Sequence, residues 1–211
     1  LRFHLGGVAV GLQPSEVAKL ALIAFLAYRL GEGVSDPRRF WKGFLLNAVA
    51  IGLCCGLVGK ENFGTAALLI IVAIAMMVAG GSRIPHLVLM LIVAVAGLVV
   101  LVRAEPYRLQ RLTAYQDIWR DSQGAGYQPL QSLTTIASGG WWGVGLGSGL
   151  QKYGYLPESH TDFIFAMLCE ELGLIGAGLV LALFCAFVWL GMRISLRAAT
   201  QFEQLLGFGL T

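Results

Sequence analysis

Four long stretches of this chain carry no charged side chain, and they constrain its fold more than any other feature. Each is 17 to 21 residues long and free of Asp, Glu, Lys and Arg. The four stretches are residues 43–59, 62–82, 84–102 and 172–192. A helix needs about 20 apolar residues to cross the hydrocarbon core of a bilayer, so each stretch predicts a membrane helix. A soluble core of four such helices is disfavoured, because 211 residues supply too little polar surface to enclose them.

A fifth membrane helix is predicted over residues 14–30, where Pro14 suits the first helical turn and Glu16 suits the positive end of the helix dipole. Composition agrees, since charged residues make up 13% of the chain and about 25% of an ordinary soluble domain. This excludes a disordered chain, a nucleic-acid-binding domain and a small disulfide-stapled module. The predicted fold is an all-α integral membrane protein, a polytopic bundle with five membrane helices and one long extracytoplasmic loop.

Basic residues in the short connectors predict which side of the membrane each connector occupies. Connectors 31–42, 81–86 and 193–200 fall on one side with Arg29 at its rim, and connector 59–64 on the other has only Lys60. The basic residues of the first side are Arg29, Arg38, Arg39, Lys42, Arg83, Arg193 and Arg197. Short loops rich in Lys and Arg are cytoplasmic. This side is therefore predicted to be cytoplasmic and the long loop extracytoplasmic.

The chain is accordingly divided into three parts. Residues 1–102 are membrane helices with short loops, residues 103–161 are the large extracytoplasmic loop, and residues 162–211 are a membrane helix and the start of the next. The ends resemble cuts, which suggests an internal piece of a larger membrane protein. The long loop is rich in Trp and Tyr, which favours an ordered segment at the membrane surface over a disordered one.

Two smaller patterns bear on function. The loop contains GGWWGVGLGSG at residues 139–149, which has neither the spacing nor the context of a dinucleotide-binding turn. Its glycines indicate either backbone brought close to a ligand or another helix, or a flexible hinge. The four cysteines, Cys54, Cys55, Cys169 and Cys185, have no metal-site or disulfide spacing and are interpreted as small packing residues.

Two polar clusters carry the candidate chemistry. Glu16 and Lys19 share one face of the first membrane helix, where ionisable groups mark either a functional site or a self-satisfied pair that fixes helix packing. The second cluster holds Lys152, Glu158, His160 and Asp162, followed by Glu170 and Glu171. Asp162 stands where the loop re-enters the membrane, and is either a reactive carboxylate or only a helix cap. The predicted sidedness places both clusters at the outer face.

Six segments resemble the SEDS family (shape, elongation, division and sporulation). They are GLQPSEVAK at 11–19, PYRLQRLT at 106–113, GYQPLQS at 126–132, SGGWWGVGLG at 138–147, QKYGYLPESHTDFIF at 151–165 and EELG at 170–173. The sequence of these segments is more similar to the FtsW/SpoVE division-and-sporulation branch than to the elongation member RodA. The chain departs from the family at KENFGTA, residues 60–66, where the usual Pro and Asp of the motif are missing. No role is therefore assigned to that turn.

The resemblance implies a ten-helix membrane protein, of which this chain holds the fourth to eighth helices, that polymerises lipid II into peptidoglycan strands. Asp162 is then the candidate general base. Lys19, Glu16, Lys152, Glu158 and His160 are candidates for supporting it or binding the substrate diphosphate. An Asp with the ordinary pKa of about 3.9 is a weak base, and a neighbouring lysine lowers that pKa further. We therefore expect Lys19 to rest on Asp162, with Glu16 holding it, and to turn to the diphosphate when lipid II binds.

The resemblance also implies partners and a location. The expected partners are lipid II, a class B penicillin-binding protein acting as transpeptidase, and membrane lipids, but no nucleic acid, and the expected location is the cytoplasmic membrane of the cell. No organic cofactor is expected. A divalent cation, Mg²⁺ or Mn²⁺, on the diphosphate is compatible with the chemistry, although the sequence shows no metal-ligand cluster.

Two other classes remain open. A flippase for a lipid-linked precursor needs polar groups at mid-membrane depth. Apart from Arg29 at the cytoplasmic rim, the charges within the five predicted helices are Glu16 and Lys19, near one end. A non-catalytic membrane scaffold is the third class. Lipid II polymerisation with and without Asp162 distinguishes these classes.

Overall fold

The computed structural model describes residues 2–5, 8–11, 13–34, 36–104, 118–119, 124, 126–149 and 163–211, with backbone alone for the first two ranges. The part described is mainly helical, as predicted. In addition, β1 (Arg2–Leu5) and β2 (Val8–Gly11) form a two-stranded antiparallel hairpin that pairs Arg2 with Gly11 and Leu5 with Val8. This hairpin was not predicted from the sequence.

Seven α-helices lie within the described residues, and four of them overlap the four uncharged stretches. The seven are α1 (Pro14–Gly31), α2 (Leu45–Glu61), α3 (Phe63–Ala79), α4 (Ile84–Arg103), α5 (Tyr127–Gly139), α6 (Ile164–Arg197) and α7 (Gln201–Leu210). A single π-helical turn, Phe40–Phe44, leads into α2. The predicted helix start at Pro14 is confirmed.

Local caps explain where several helices begin. Asn62 has an extended backbone between α2 and α3, and its Oδ1 accepts a 3.1 Å hydrogen bond from the Thr65 N–H. Thr200 and Glu203 form a capping box at the start of α7. Two predicted connectors differ from the structure. Residues 193–197 continue α6, and residues 127–139 within the predicted loop form α5.

One compact unit comprises residues 1–101 and 188–211. Its core is formed by α1, α2, α3 and α7, with Leu26, Leu69 and Met76 almost fully buried. Gly31 allows α7 to approach α1, because a Cβ at this position would overlap the backbone of Phe202. A polar contact also joins α1 to α2, where Arg29 Nε donates to Oδ1 of the fully buried Asn47 at 2.7 Å.

The second unit, residues 102–187, contains α5, the glycine-rich segment that follows it, and most of α6. α6 is interrupted at Gly173, whose φ of 69° and ψ of −175° are not helical. Residues 164–172 and 174–197 are therefore two helical segments joined at one glycine.

Among the described residues, two helices are long and apolar enough to cross a membrane, α4 and α6. Their apolar side chains are mostly exposed, and Met90 is the one buried residue of α4. Exposed apolar area costs about 25 cal/mol per Å² in water, and lipid removes this cost. α3 is apolar too but shorter, with 17 residues.

Candidate functional site

The predicted pair of Glu16 and Lys19 is formed in the first turns of α1. Lys19 Nζ lies 2.7 Å from Glu16 Oε1. Gln13 precedes the helix in an extended conformation, and its carbonyl accepts the Glu16 N–H at 3.0 Å. Pro14 and this bond fix the first turn, which places both side chains on the same face of α1.

The pair is accessible, and this determines what it can do. The Glu16 side chain is 59% exposed and that of Lys19 is 26% exposed. An ion pair this exposed contributes about 1 kcal/mol or less to stability, because solvent screens it. Lys19 is therefore held in a defined position but can exchange Glu16 for another anion at little cost.

Asp162, the predicted general base, lies outside the described residues, as do Lys152, Glu158 and His160. The expected contact between Lys19 and Asp162 therefore stays a prediction. Of the six predicted site residues, the structure describes Glu16 and Lys19 and brings these two together. Across the described ranges, no group of three or more His, Cys, Asp or Glu could hold a metal ion.

The glycine-rich segment after α5 lies directly against α6. A Cβ at Gly139 would overlap the carbonyl of Cys169, and a Cβ at Gly143 would overlap that of Glu171. Gly143, Gly145 and Gly147 all have positive φ, a region that favours glycine. Of the two predicted alternatives, the structure favours backbone brought close to another helix.

Glu170 and Glu171, to which the sequence alone assigns no role, lie in the last turn of the first segment of α6. Glu170 is 4% exposed. Glu171 accepts the Gly147 N–H through Oε2 at 3.1 Å. The signal in the sequence is a pair of adjacent acids at the edge of the uncharged stretch 172–192.

The four cysteines were predicted to be packing residues. All four are free. Cys55 and Cys169 are buried and Cys54 is partly buried, as expected of packing residues, whereas Cys185 is exposed on α6.

Comparison with known proteins gives the family. Residues 3–211 match the model of the FtsW/RodA/SpoVE family, described as cell cycle proteins. The chain belongs to this family, and the predicted membership is confirmed. These are membrane proteins, in agreement with the apolar helices α4 and α6.

The relatives bear names of the division-and-sporulation branch. The chain is 40% identical over 215 residues to stage V sporulation protein E of Bacillus subtilis (strain 168), covering 99% of the chain and 57% of that relative. It is 38% identical over 199 residues to a probable peptidoglycan glycosyltransferase FtsW of Geobacter sp. (strain M18), covering 94% and 54%. A protein of the same name from Thioalkalivibrio sulfidiphilus (strain HL-EbGR7) is 41% identical over 197 residues, covering 93% and 49%. The chain thus spans about half the length of these relatives.

Proposed function

We propose that this chain is part of a peptidoglycan glycosyltransferase that polymerises lipid II at the outer face of the cytoplasmic membrane during division, sporulation or shape maintenance. The observation that carries the proposal is the match to the FtsW/RodA/SpoVE family along nearly the whole chain, together with relatives named as probable peptidoglycan glycosyltransferases. The accessible Glu16–Lys19 pair supports it, because a cation held at low cost suits a diphosphate substrate.

The proposed reaction is glycosyl transfer. The 4-hydroxyl of the acceptor N-acetylglucosamine attacks the anomeric carbon of the terminal N-acetylmuramic acid of the growing chain. The Asp162 carboxylate takes the hydroxyl proton. The bond between the anomeric carbon and the diphosphate oxygen breaks, and undecaprenyl diphosphate leaves with the electron pair.

In this proposal Lys19 binds the diphosphate of the substrate and Glu16 holds Lys19 in place between turnovers. Lys152, Glu158 and His160 support Asp162 or the diphosphate. A divalent cation, Mg²⁺ or Mn²⁺, would supply further positive charge to the diphosphate if one were bound there, and no organic cofactor is proposed. A class B penicillin-binding protein is the proposed partner, because a polymerase of bare glycan needs a crosslinking enzyme beside it.

The test is lipid II polymerisation by the purified full-length protein. We expect glycan strands many disaccharides long, resolved by gel electrophoresis. A flippase would instead move fluorescent lipid II between the leaflets of a liposome without lengthening it. Movement of lipid II without polymer would contradict the proposal. If the protein neither polymerises nor moves lipid II, whether or not the partner is present, the result would favour a scaffold.

The proposed topology has five membrane helices, with residues 31–42 and 193–200 cytoplasmic and 103–161 outside. Single cysteines at Asp36 and Gly124, both exposed, are matched reporters in a background whose four native cysteines are replaced. We expect a membrane-impermeant maleimide added to intact spheroplasts to label Gly124→Cys alone, and Asp36→Cys only after lysis. Labelling of Asp36→Cys from outside would contradict this topology.

A further inference from the structure

The break in α6 at Gly173 raises the question of what satisfies the backbone groups it frees. A helix end leaves its last carbonyls and its first N–H groups without intrahelical partners. Such groups are costly in a membrane unless protein supplies partners for them. At this break both kinds of group occur within a few residues.

The segment after α5 bonds to both sides of the break. After the break, the N–H groups of Leu174 and Ile175 donate to the carbonyls of Gly140 and Trp141, at 2.9 and 3.3 Å. Before it, the carbonyls of Glu170 and Glu171 accept from the N–H groups of Val144 and Gly145, at 2.9 and 3.1 Å. Residues 140–145 therefore supply partners for two N–H groups and two carbonyls at the break.

Only a glycine backbone allows this arrangement at two positions. A Cβ at Gly143 would overlap the backbone of Glu171 and Gly173, and a Cβ at Gly173 would overlap that of Trp141 and Gly143. Both residues have positive φ, at 79° and 69°. The segment 140–147 and the break are thus built as one unit.

One side chain strengthens the contact. Glu171 Oε2 accepts the N–H of Gly147 at 3.1 Å, three residues beyond Val144. A carboxylate acceptor makes this bond stronger than a neutral one. Glu171 thereby fixes the far end of residues 140–147 to the end of the first segment of α6.

We propose that residues 140–147 and Glu171 form a clamp that orients residues 163–172, and that Glu171 is a positioning residue for glycosyl transfer. This rests on the proposed function, because Asp162 directly precedes Phe163 in the chain. A helix of nine residues is too short to hold its own direction, and the link through Gly173 is a single glycine. Misplacing a reacting group by about 1 Å costs about 100-fold in rate, so we expect loss of the clamp to slow a reaction whose proposed base directly precedes residue 163 in the sequence.

The test measures the clamp and the reaction separately, in the full-length protein with its native cysteines replaced. Spin labels on Leu146→Cys and Ile164→Cys, both exposed positions, report the distance between the clamp and the first segment of α6. We expect a narrow distance distribution in the parent protein and a broader one in Glu171→Ala. In the same variant we expect kcat to be about 10- to 100-fold lower, with KM within twofold of the parent and an unchanged pH profile. Glu171→Gln keeps an acceptor oxygen, so we expect it to have a distance distribution nearly as narrow as that of the parent and most of the parent's kcat.

A matched glycine pair tests the backbone part of the clamp. Gly143→Ala places a Cβ on Glu171 and is expected to broaden the distribution and lower kcat, whereas Gly178→Ala lies past the break with nothing within 4 Å and is expected to change neither. A narrow distribution in both Glu171→Ala and Gly143→Ala would overturn the clamp. A broad distribution with normal kcat would overturn the positioning role. Full activity of Asp162→Asn would instead overturn the proposed function, while the distances would still report the clamp.

Discussion

Asp162→Asn is expected to abolish lipid II polymerisation while leaving the protein folded. If Asp162 is the general base, the amide cannot accept the hydroxyl proton, and loss of a general base commonly costs 10²- to 10⁴-fold in rate. If Asp162 is only a helix cap, the substitution is mild, because Asn caps a helix about as well as Asp. The measurement is glycan strand length and rate from purified lipid II, with a melting curve for each variant.

The matched control is Asp36→Asn, which removes an exposed carboxylate from the connector after α1. Its contacts are local, to Arg39 Nε at 3.4 Å and to the Arg38 N–H at 3.0 Å. We expect this control to polymerise normally and to melt within about 4 °C of the parent, since a surface pair contributes about 1 kcal/mol or less and 1 kcal/mol shifts the melting temperature by about 2–4 °C in a domain of 150–250 residues. Near-normal activity in Asp162→Asn would contradict the catalytic role of Asp162 and favour the interpretation of Asp162 as a helix cap.

The sequence predicted those parts of the fold that depend on local signals. The absence of charge predicted a helix over residues 84–102, and the observed α4 is Ile84–Arg103. α1 begins at Pro14, as predicted. Both depend on the length of an apolar run and on the residues at its ends. α5 was missed because its sequence, YQPLQSLTTIASG, is uncharged but too polar to read as a membrane helix.

The break at Gly173 shows what local signals omit. The residues around it read as one apolar helix, because the partners of the freed backbone groups come from residues 140–145, some thirty positions earlier. The same holds for the contact between Arg29 and Asn47, two residues that are 18 positions apart in the sequence and lie on different helices. For the candidate site, spacing alone predicted the Glu16–Lys19 pair, since residues three apart on a helix are neighbours.

Lys19→Met is expected to lower kcat/KM for lipid II by about 10- to 150-fold, which corresponds to losing one hydrogen bond to a charged group. The reason is that Lys19 is held ready by Glu16 at 2.7 Å yet is 26% exposed and free to turn to the diphosphate. Lys19→Arg keeps the charge and is expected to retain most activity. Steady-state polymerisation at varied lipid II concentration measures the effect.

Glu16→Gln is the informative companion, because it removes the partner and leaves the cation. If Lys19 acts on the substrate, Glu16→Gln loses less than about tenfold, since only the resting position of Lys19 is disturbed. If the pair only fixes helix packing, both single variants lower the melting temperature alike, because each breaks the same contact. Activity would then fall equally in Lys19→Met and Glu16→Gln. Equal losses in the two variants, accompanied by equal destabilisation, would contradict the binding role of Lys19.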